Sequence, residues 1–178
     1  KEQVPYPLTW LDEELMEDYI ADLEVVTEFA ALNREIILTE ILKGMKLKEV
    51  EWFSSVHNYL DQSKTEKILR KGAISAKKGE SVVIPINMRD GVVLGVGKGN
   101  SEWNESAPHG SGRKMRRDEV KRHYTVSAFK KEMKGIYSSC IGADTLDEAP
   151  FAYRSFEEIT DYLKETEEIT KILKPVYN

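Results

Sequence analysis

Between Leu15 and Ile41 the apolar residues Leu15, Tyr19, Leu23, Val26, Ala30, Ile37 and Ile41 recur at steps that keep one face of an α-helix. From Glu51 the pattern switches to short runs rich in β-branched and aromatic residues. That change of period reads as an α+β fold, with mixed or antiparallel sheets flanked by helices. Thr9 is positioned to cap the first helix and Gly44 to stop it. The runs EWFSSVH (51–57), KILRKGAIS (67–75), SVVIPI (81–86) and VVLGVG (92–97) predict strands, the last two joined by a hairpin with Asp90-Gly91 in its turn. Pro85 requires an edge strand or a bulge at that point. Residues 99–112 lack periodicity and predict a long irregular loop. Short helices are expected at 118–121 and 128–134, the second capped by Ser127 and ended by Gly135. A capping box over Ser155–Glu158 opens a final helix whose stripe is Phe156, Ile159, Leu163, Ile169 and Leu173, stopped by Pro175. With no repeat, linker or low-complexity tract, residues 1–178 read as one unit.

The 178 residues carry a net charge of −5, so affinity for nucleic acid has to rest on a local basic patch. Six Lys or Arg residues against two acids lie between Arg113 and Arg122, and residues 144–168 are strongly acidic. This separation allows a positive cleft on a negative body. No stretch matches the ~20 apolar residues that cross a bilayer, and the opening KEQVPYPLTW lacks an apolar signal core. The single Cys140 excludes an internal disulfide framework, is expected as a buried structural thiol, and fits a reducing, cytoplasmic setting. GVVLGVGKGN fails as a Walker loop because Val92 stands where the first glycine belongs and Gly99 follows Lys98.

The segment APHGSGRKMRR, residues 107–117, places a histidine among helix breakers and follows it with four cations in five positions. A neutral imidazole offers one lone pair to a phosphorus or carbonyl centre, and flanking glycines let a phosphate approach the ring and the backbone amides. Arg113 and Arg117 suit forked contacts to phosphate oxygens, and Lys114 adds a point charge. On the residues alone two readings stay open: phosphoryl or nucleotidyl transfer, or a surface loop that binds nothing. His57 by itself reads as a core or strand-edge histidine, Lys71 as a solvated strand-end lysine, Tyr153 as a core residue and His123 as an exposed helix-end residue.

APHGSGRKMRR resembles the active-site signature of the RtcB-type RNA-splicing ligases. SSVHN (54–58), LRKGAIS (69–75), VVIPINMRDG (82–91) and DEAPFAYRSFEEI (147–159) resemble further segments of that family in the same order, so the resemblance covers nearly the whole chain. It implies a ligase fold and the joining of an RNA 3′-phosphate or 2′,3′-cyclic phosphate to a 5′-hydroxyl, with GTP and Mn²⁺ as cofactors. His109 would carry a covalent guanylate, Lys71 and Arg113 would act beside it, and His57 would ligate metal. Asn87, Met88, Gly110, Ser111, Gly112 and Tyr153 would surround the guanosine, and Arg113 and Arg117 would meet RNA or nucleotide phosphates.

The family's remaining metal ligands, in D-x-x-C-G-M and G-N-H motifs, have no match here, so the chain resembles roughly the C-terminal half of a longer ligase whose N-terminal portion is an expected partner. PVYN ends short of the family's terminal lysine, and Arg116 replaces a small residue of the signature. The isolated chain is therefore expected not to ligate RNA. The competing expectations are a non-catalytic RNA-end-binding module, and a guanylated histidine that serves a non-RNA phosphate.

Overall fold

The computed structural model describes residues 11–63 and 67–177. The chain divides into two compact units, Lys1–Trp52 with Tyr59–Leu69, and Phe53–Asn58 with Arg70–Asn178. The class is α+β, as the change of period predicts. No helix among the described residues is long and apolar enough to cross a membrane.

In the first unit, helix α1 spans Glu13–Met45. Asp12 is its N-cap and Lys46, in the left-handed region, closes its C-terminus; Gly44 lies within the last turn, and Thr9 falls outside the described residues. Ile20, Leu23 and Thr27 line a cavity with Tyr59 and Leu60 of the ribbon formed by β1 (Asn58–Asp61) and β2 (Ile68–Lys71). Val25, Phe29, Leu32 and Ile36 are more than half exposed.

The second unit holds the remaining sheets. Strands β3 (Ala73–Ser75) and β6 (Ser106–Pro108) pair antiparallel. Strands β4 (Ser81–Asn87), β5 (Gly91–Gly97) and β7 (Glu167–Leu173) form an antiparallel sheet in the order β4-β5-β7. Pro85 is exposed on edge strand β4, and the register slips between Pro85 and Asn87, which removes the ladder bond that proline cannot donate. The hairpin turn is built by Asn87, whose Oδ1 accepts from the N–H groups of Arg89 and Asp90 while its Nδ2 donates to Asp90 Oδ2. Ile74, Val82, Ile84, Val93 and Ala107 pack with Ile159 and Leu163 of helix α4 (Phe156–Thr166) as one core. A second core joins Val120 of α2 (Arg117–His123) and Phe129 and Met133 of α3 (Val126–Glu132) and its C-cap to Leu146, Ala149 and Ala152. Tyr124 stacks on Phe151 at 3.9 Å between centroids.

Several local expectations are corrected. Residues 51–57 form no strand; pairing begins at Asn58. The segment 67–75 is two strands rather than one, broken at Gly72. The final helix ends at Thr166, so Ile169 and Leu173 belong to β7; antiparallel pairing with β5 outweighs the continuing helical stripe. Thr125, not Ser127, caps α3, its side chain accepting from Ala128 N–H. The loop 99–112 also contains the short strand β6 and a 3₁₀ turn at Ser101–Trp103, and Cys140 is exposed rather than buried.

At the start of β7 both carboxyl oxygens of Glu167 are buried without a hydrogen-bond partner. Glycine at position 95 leaves that carboxyl room, since a Cβ there would stand 3.2 Å from its Cδ. Burial pushes the Glu167 pKa up to about 7, with Lys98 opposing. The folded state therefore holds this proton more tightly than the unfolded chain. Its contribution is full below the unfolded value of 4.5 and is lost as pH rises through about 7. Denaturant titrations should show stability falling by about 2.5 kcal/mol between pH 5 and pH 8, and Glu167→Gln should flatten that slope and be the more stable protein at pH 8. A Glu167→Gln protein less stable than wild type at pH 8 would mean the carboxylate is paired.

Candidate active site

His109 follows directly after β6, and its ring is exposed. The strand break at Gly72 places a carbonyl beside the imidazole, and His109 Nδ1 lies 2.5 Å from Gly72 O. A carbonyl oxygen only accepts, so Nδ1 is the protonated nitrogen and the lone pair sits on Nε2. Gly72 is itself held: its N–H donates to His57 O at 2.9 Å and to Asn58 Oδ1 at 3.3 Å. The His57 ring stacks on the His109 ring at 5.3 Å, with 13° between planes. His57, the Lys71–Gly72 step and His109 therefore meet, although 52 and 38 residues separate His57 and Lys71 from the histidine.

The loop after His109 is shaped by close approach. A Cβ on Gly110 would lie 3.0 Å from Pro85 O, and the same carbonyl accepts from Ser111 N–H. Ser111, buried, donates its hydroxyl to Ile86 O at 2.5 Å. Gly112 adopts φ +71, a conformation that strains residues with a side chain, and Arg154 Nη1 lies 3.0 Å from where a Cβ would stand. These contacts hold the loop against the bulged edge strand β4. Asn87, Met88, His109, Gly110, Ser111, Gly112, Arg113 and Tyr153 surround one open cavity of about 950 Å³. Arg117 does not line it.

The basic run is partnered by acids rather than presented bare. Arg113 donates from Nη1 to Asp147 O at 2.7 Å and from Nη2 to Tyr153 Oη at 2.9 Å, pairs with Glu148 at 2.8 Å, and lies 4.7 Å from the Tyr153 ring centroid. Arg117 bonds Asp147 Oδ2 at 2.6 Å and also Glu148. Lys114 pairs with Glu158 at 2.7 Å, and at the start of α2 the backbone N–H of Arg116 donates to Glu119 Oε2 at 2.9 Å. The basic and acidic stretches thus fold against each other, in place of the expected positive cleft on a separate negative body. Asp147 and Glu148 are the residues that sequence reasoning left without a role; the signal was there in their acidity two and three residues before Pro150, facing a basic run. His123 is exposed at the end of α2, as expected. Lys174 and Tyr177 also line the cavity without having been singled out.

The bond from Arg117 holds the Asp147 carboxyl below the usual carboxylate range. For Glu148 burial works upward, but the Tyr153 and Arg117 hydrogen bonds and the Arg113 charge outweigh it and hold this carboxyl low as well. Burial and the bond to Glu148 push the Tyr153 hydroxyl up.

Among the described residues no group of three or more His, Cys, Asp or Glu side chains could hold a metal ion. His57 is at most one ligand of a metal site, and the residues here do not complete a manganese centre.

The profile of the family described as tRNA-splicing ligase RtcB matches residues 7–178. The chain belongs to that family. It is 28% identical to the RNA-splicing ligase RtcB of Escherichia coli K12, over 92% of this chain and 43% of that protein. It is 36% identical to the tRNA-splicing ligase RtcB of Aeropyrum pernix, over 46% of this chain and 18% of that protein. The RNA-splicing ligase RtcB1 of a second Escherichia coli strain is 25% identical over the same 92% and 43%. The chain thus spans less than half the length of the RtcB relatives it matches.

Because both carboxyls are held low, the Asp147–Glu148 cluster stays charged at neutral pH, and its contribution to stability is lost as pH falls below about 4. Asp147→Asn should lower the melting temperature at pH 7 by roughly 3–6 °C, the size expected on losing one charge-assisted bond of about 1.5 kcal/mol. It should also lose part of the acid sensitivity. A variant with an unchanged melting temperature would show that the cluster contributes nothing to the fold.

Proposed function

We propose that this chain is the nucleophile-bearing part of a GTP-dependent RNA ligase. In this reading the parent protein joins an RNA 3′-phosphate or 2′,3′-cyclic phosphate to a 5′-hydroxyl through a guanylate carried on His109. The observation that carries the proposal is the 2.5 Å contact of His109 Nδ1 with Gly72 O, which leaves the Nε2 lone pair on an exposed ring at the edge of the large cavity.

His109 Nε2 attacks the α-phosphorus of GTP; the N–P bond forms as the bond to pyrophosphate breaks, and pyrophosphate leaves with the electron pair. The positive charge that develops on the ring is shared through Nδ1–H with the Gly72 carbonyl. The RNA 3′-phosphate then takes the guanylyl group, freeing the imidazole, and the 5′-hydroxyl displaces GMP to seal the strand. Splitting one difficult displacement into easier ones is the advantage of covalent catalysis. Asn87, Met88, Ser111 and Tyr153 supply the walls for the guanosine, with the base taking the Tyr153 face that Arg113 does not cover. Lys71 and the Arg113 fork stabilise phosphate charge, and Arg117 follows through their shared partner Glu148. His57 would offer one imidazole to Mn²⁺, and the other ligands would come from the N-terminal portion of the parent protein.

A second reading, an RNA-end-binding module without chemistry, draws support from the lack of a three-ligand cluster among the described residues. Intact-mass measurement separates the two. The full-length parent incubated with GTP and Mn²⁺ should gain an acid-labile GMP adduct that His109→Ala abolishes, and Lys71→Ala and Arg113→Ala should each slow its formation by roughly 10²–10³-fold. The isolated chain should gain none. An adduct that survives His109→Ala rules out the nucleophile assignment, and a full-length parent that never forms one favours the binding module.

A further inference from the structure

A second cavity, about 320 Å³, opens against the strand that leads into His109. Small residues, Gly72, Ala73, Ala107 and Pro108, line it together with the aromatic side chains of Trp103 and Tyr162. Both aromatic residues are exposed, at 48% and 59%. Trp103 is nonetheless anchored: its indole N–H donates to Glu165 Oε2 at 3.0 Å, and the 3₁₀ turn carrying it is capped by the Asn100 side chain. Two lining residues touch the histidine directly, Pro108 as its chain neighbour and Gly72 through the carbonyl beside Nδ1.

We propose that this cavity is a stacking subsite for one nucleobase of the RNA end brought to His109. The proposal rests on the reading of His109 as acting on RNA phosphates. A planar heterocycle fits an opening that combines small residues with two aromatic ones, and stacking needs only its π-face. The hydroxyls of two lining residues are already committed. Ser106 Oγ donates to Asn104 O and accepts from Arg70 Nε, and Thr166 Oγ1 donates to backbone carbonyls within α4. With these two donors used within the protein and stacking blind to sequence, the subsite should accept all four bases. Glu165 beside Trp103 disfavours a phosphate inside the cavity, so the base enters it while the backbone runs past Lys71 and His109.

The test uses the 178-residue chain and short single-stranded RNAs ending in a 3′-phosphate, followed by fluorescence titration. Removing a stacking ring costs about 1–3 kcal/mol per base, so Trp103→Ala and Tyr162→Ala should each weaken binding by about 5- to 150-fold. Trp103→Phe, which keeps a ring, should recover most of the loss, and that recovery separates stacking from damage to the fold. An oligomer made abasic at its terminal positions should bind wild type as weakly as normal RNA binds Trp103→Ala, and exchanging the terminal base should change affinity little. Wild-type affinity in both alanine variants, equal binding of the abasic oligomer, or no RNA binding by the chain at all would overturn the proposal. Adduct formation by the wild-type parent protein is measured separately: an adduct without stacking sinks only this subsite, and stacking without an adduct sinks only the ligase chemistry.

Discussion

The hydrogen bond between His109 Nδ1 and the Gly72 carbonyl is the contact on which the site's geometry depends. It decides which nitrogen is available, and it does so through backbone, so no side-chain partner has to be supplied. Several independent features converge on that one carbonyl. Gly72 sits at the break between β2 and β3 with φ +68; its N–H is tied to His57 O; and β3 pairs with β6, the strand that delivers His109. The register Ala73↔Pro108 brings the residue after Gly72 opposite the residue before His109, so the pairing of two three-residue strands places the imidazole. A one-residue slip would turn the ring to the opposite face.

The second constraint is electrostatic. Arg113 and Arg117 share the Asp147–Glu148 pair, yet the two acids differ in standing: the Asp147 side chain is 9% exposed, that of Glu148 is 41% exposed and lines the cavity. Asp147 holds the arginines by its backbone oxygen as well as its carboxylate, so it acts as scaffold. Glu148 is the more exposed partner of the two. Under the proposed function, a phosphate approaching Arg113 would compete with this carboxylate of like sign, and the arginines would change partner rather than acquire one from solvent. Their orientation is set by Asp147 and Glu148.

Much of this was readable in the sequence, and the failures have physical causes. The β4–β5 hairpin, its bulge at Pro85 and the capping box at Ser155 follow from residues whose preferences are local, and they were legible for that reason. Ile169 and Leu173 continue a helical stripe, but the pairing of β7 with β5 is non-local and cannot be seen in residues 167–173 alone. Likewise Trp52 and Phe53 carry strand propensity with no strand to pair with. At the site, His109 and its glycines announced themselves by composition. His57, Lys71 and Tyr153 were identified only through family resemblance, because a lone histidine, lysine or tyrosine has a blander use more often than a chemical one. Glu148 was missed because its role exists only once the chain is folded onto the basic run.

The two cavities that open near His109 differ in chemistry. The larger is rimmed by groups that carry charge or hydrogen-bonding capacity, Asn87, Arg113, Glu148, Tyr153 and Lys174; the smaller offers mainly hydrocarbon and aromatic surface. Hydrogen-bonded recognition rejects an imperfect ligand strongly, because buried polar groups are left unpaired, whereas stacking tolerates any base. Under the function proposed above, one nucleotide would be activated and RNA ends of varied sequence accepted, and the two kinds of surface suit those two tasks. His109, exposed and fixed through Gly72, stands where the two meet, and Gly72 and Pro108 belong at once to the wall of the tolerant cavity and to the support of the histidine.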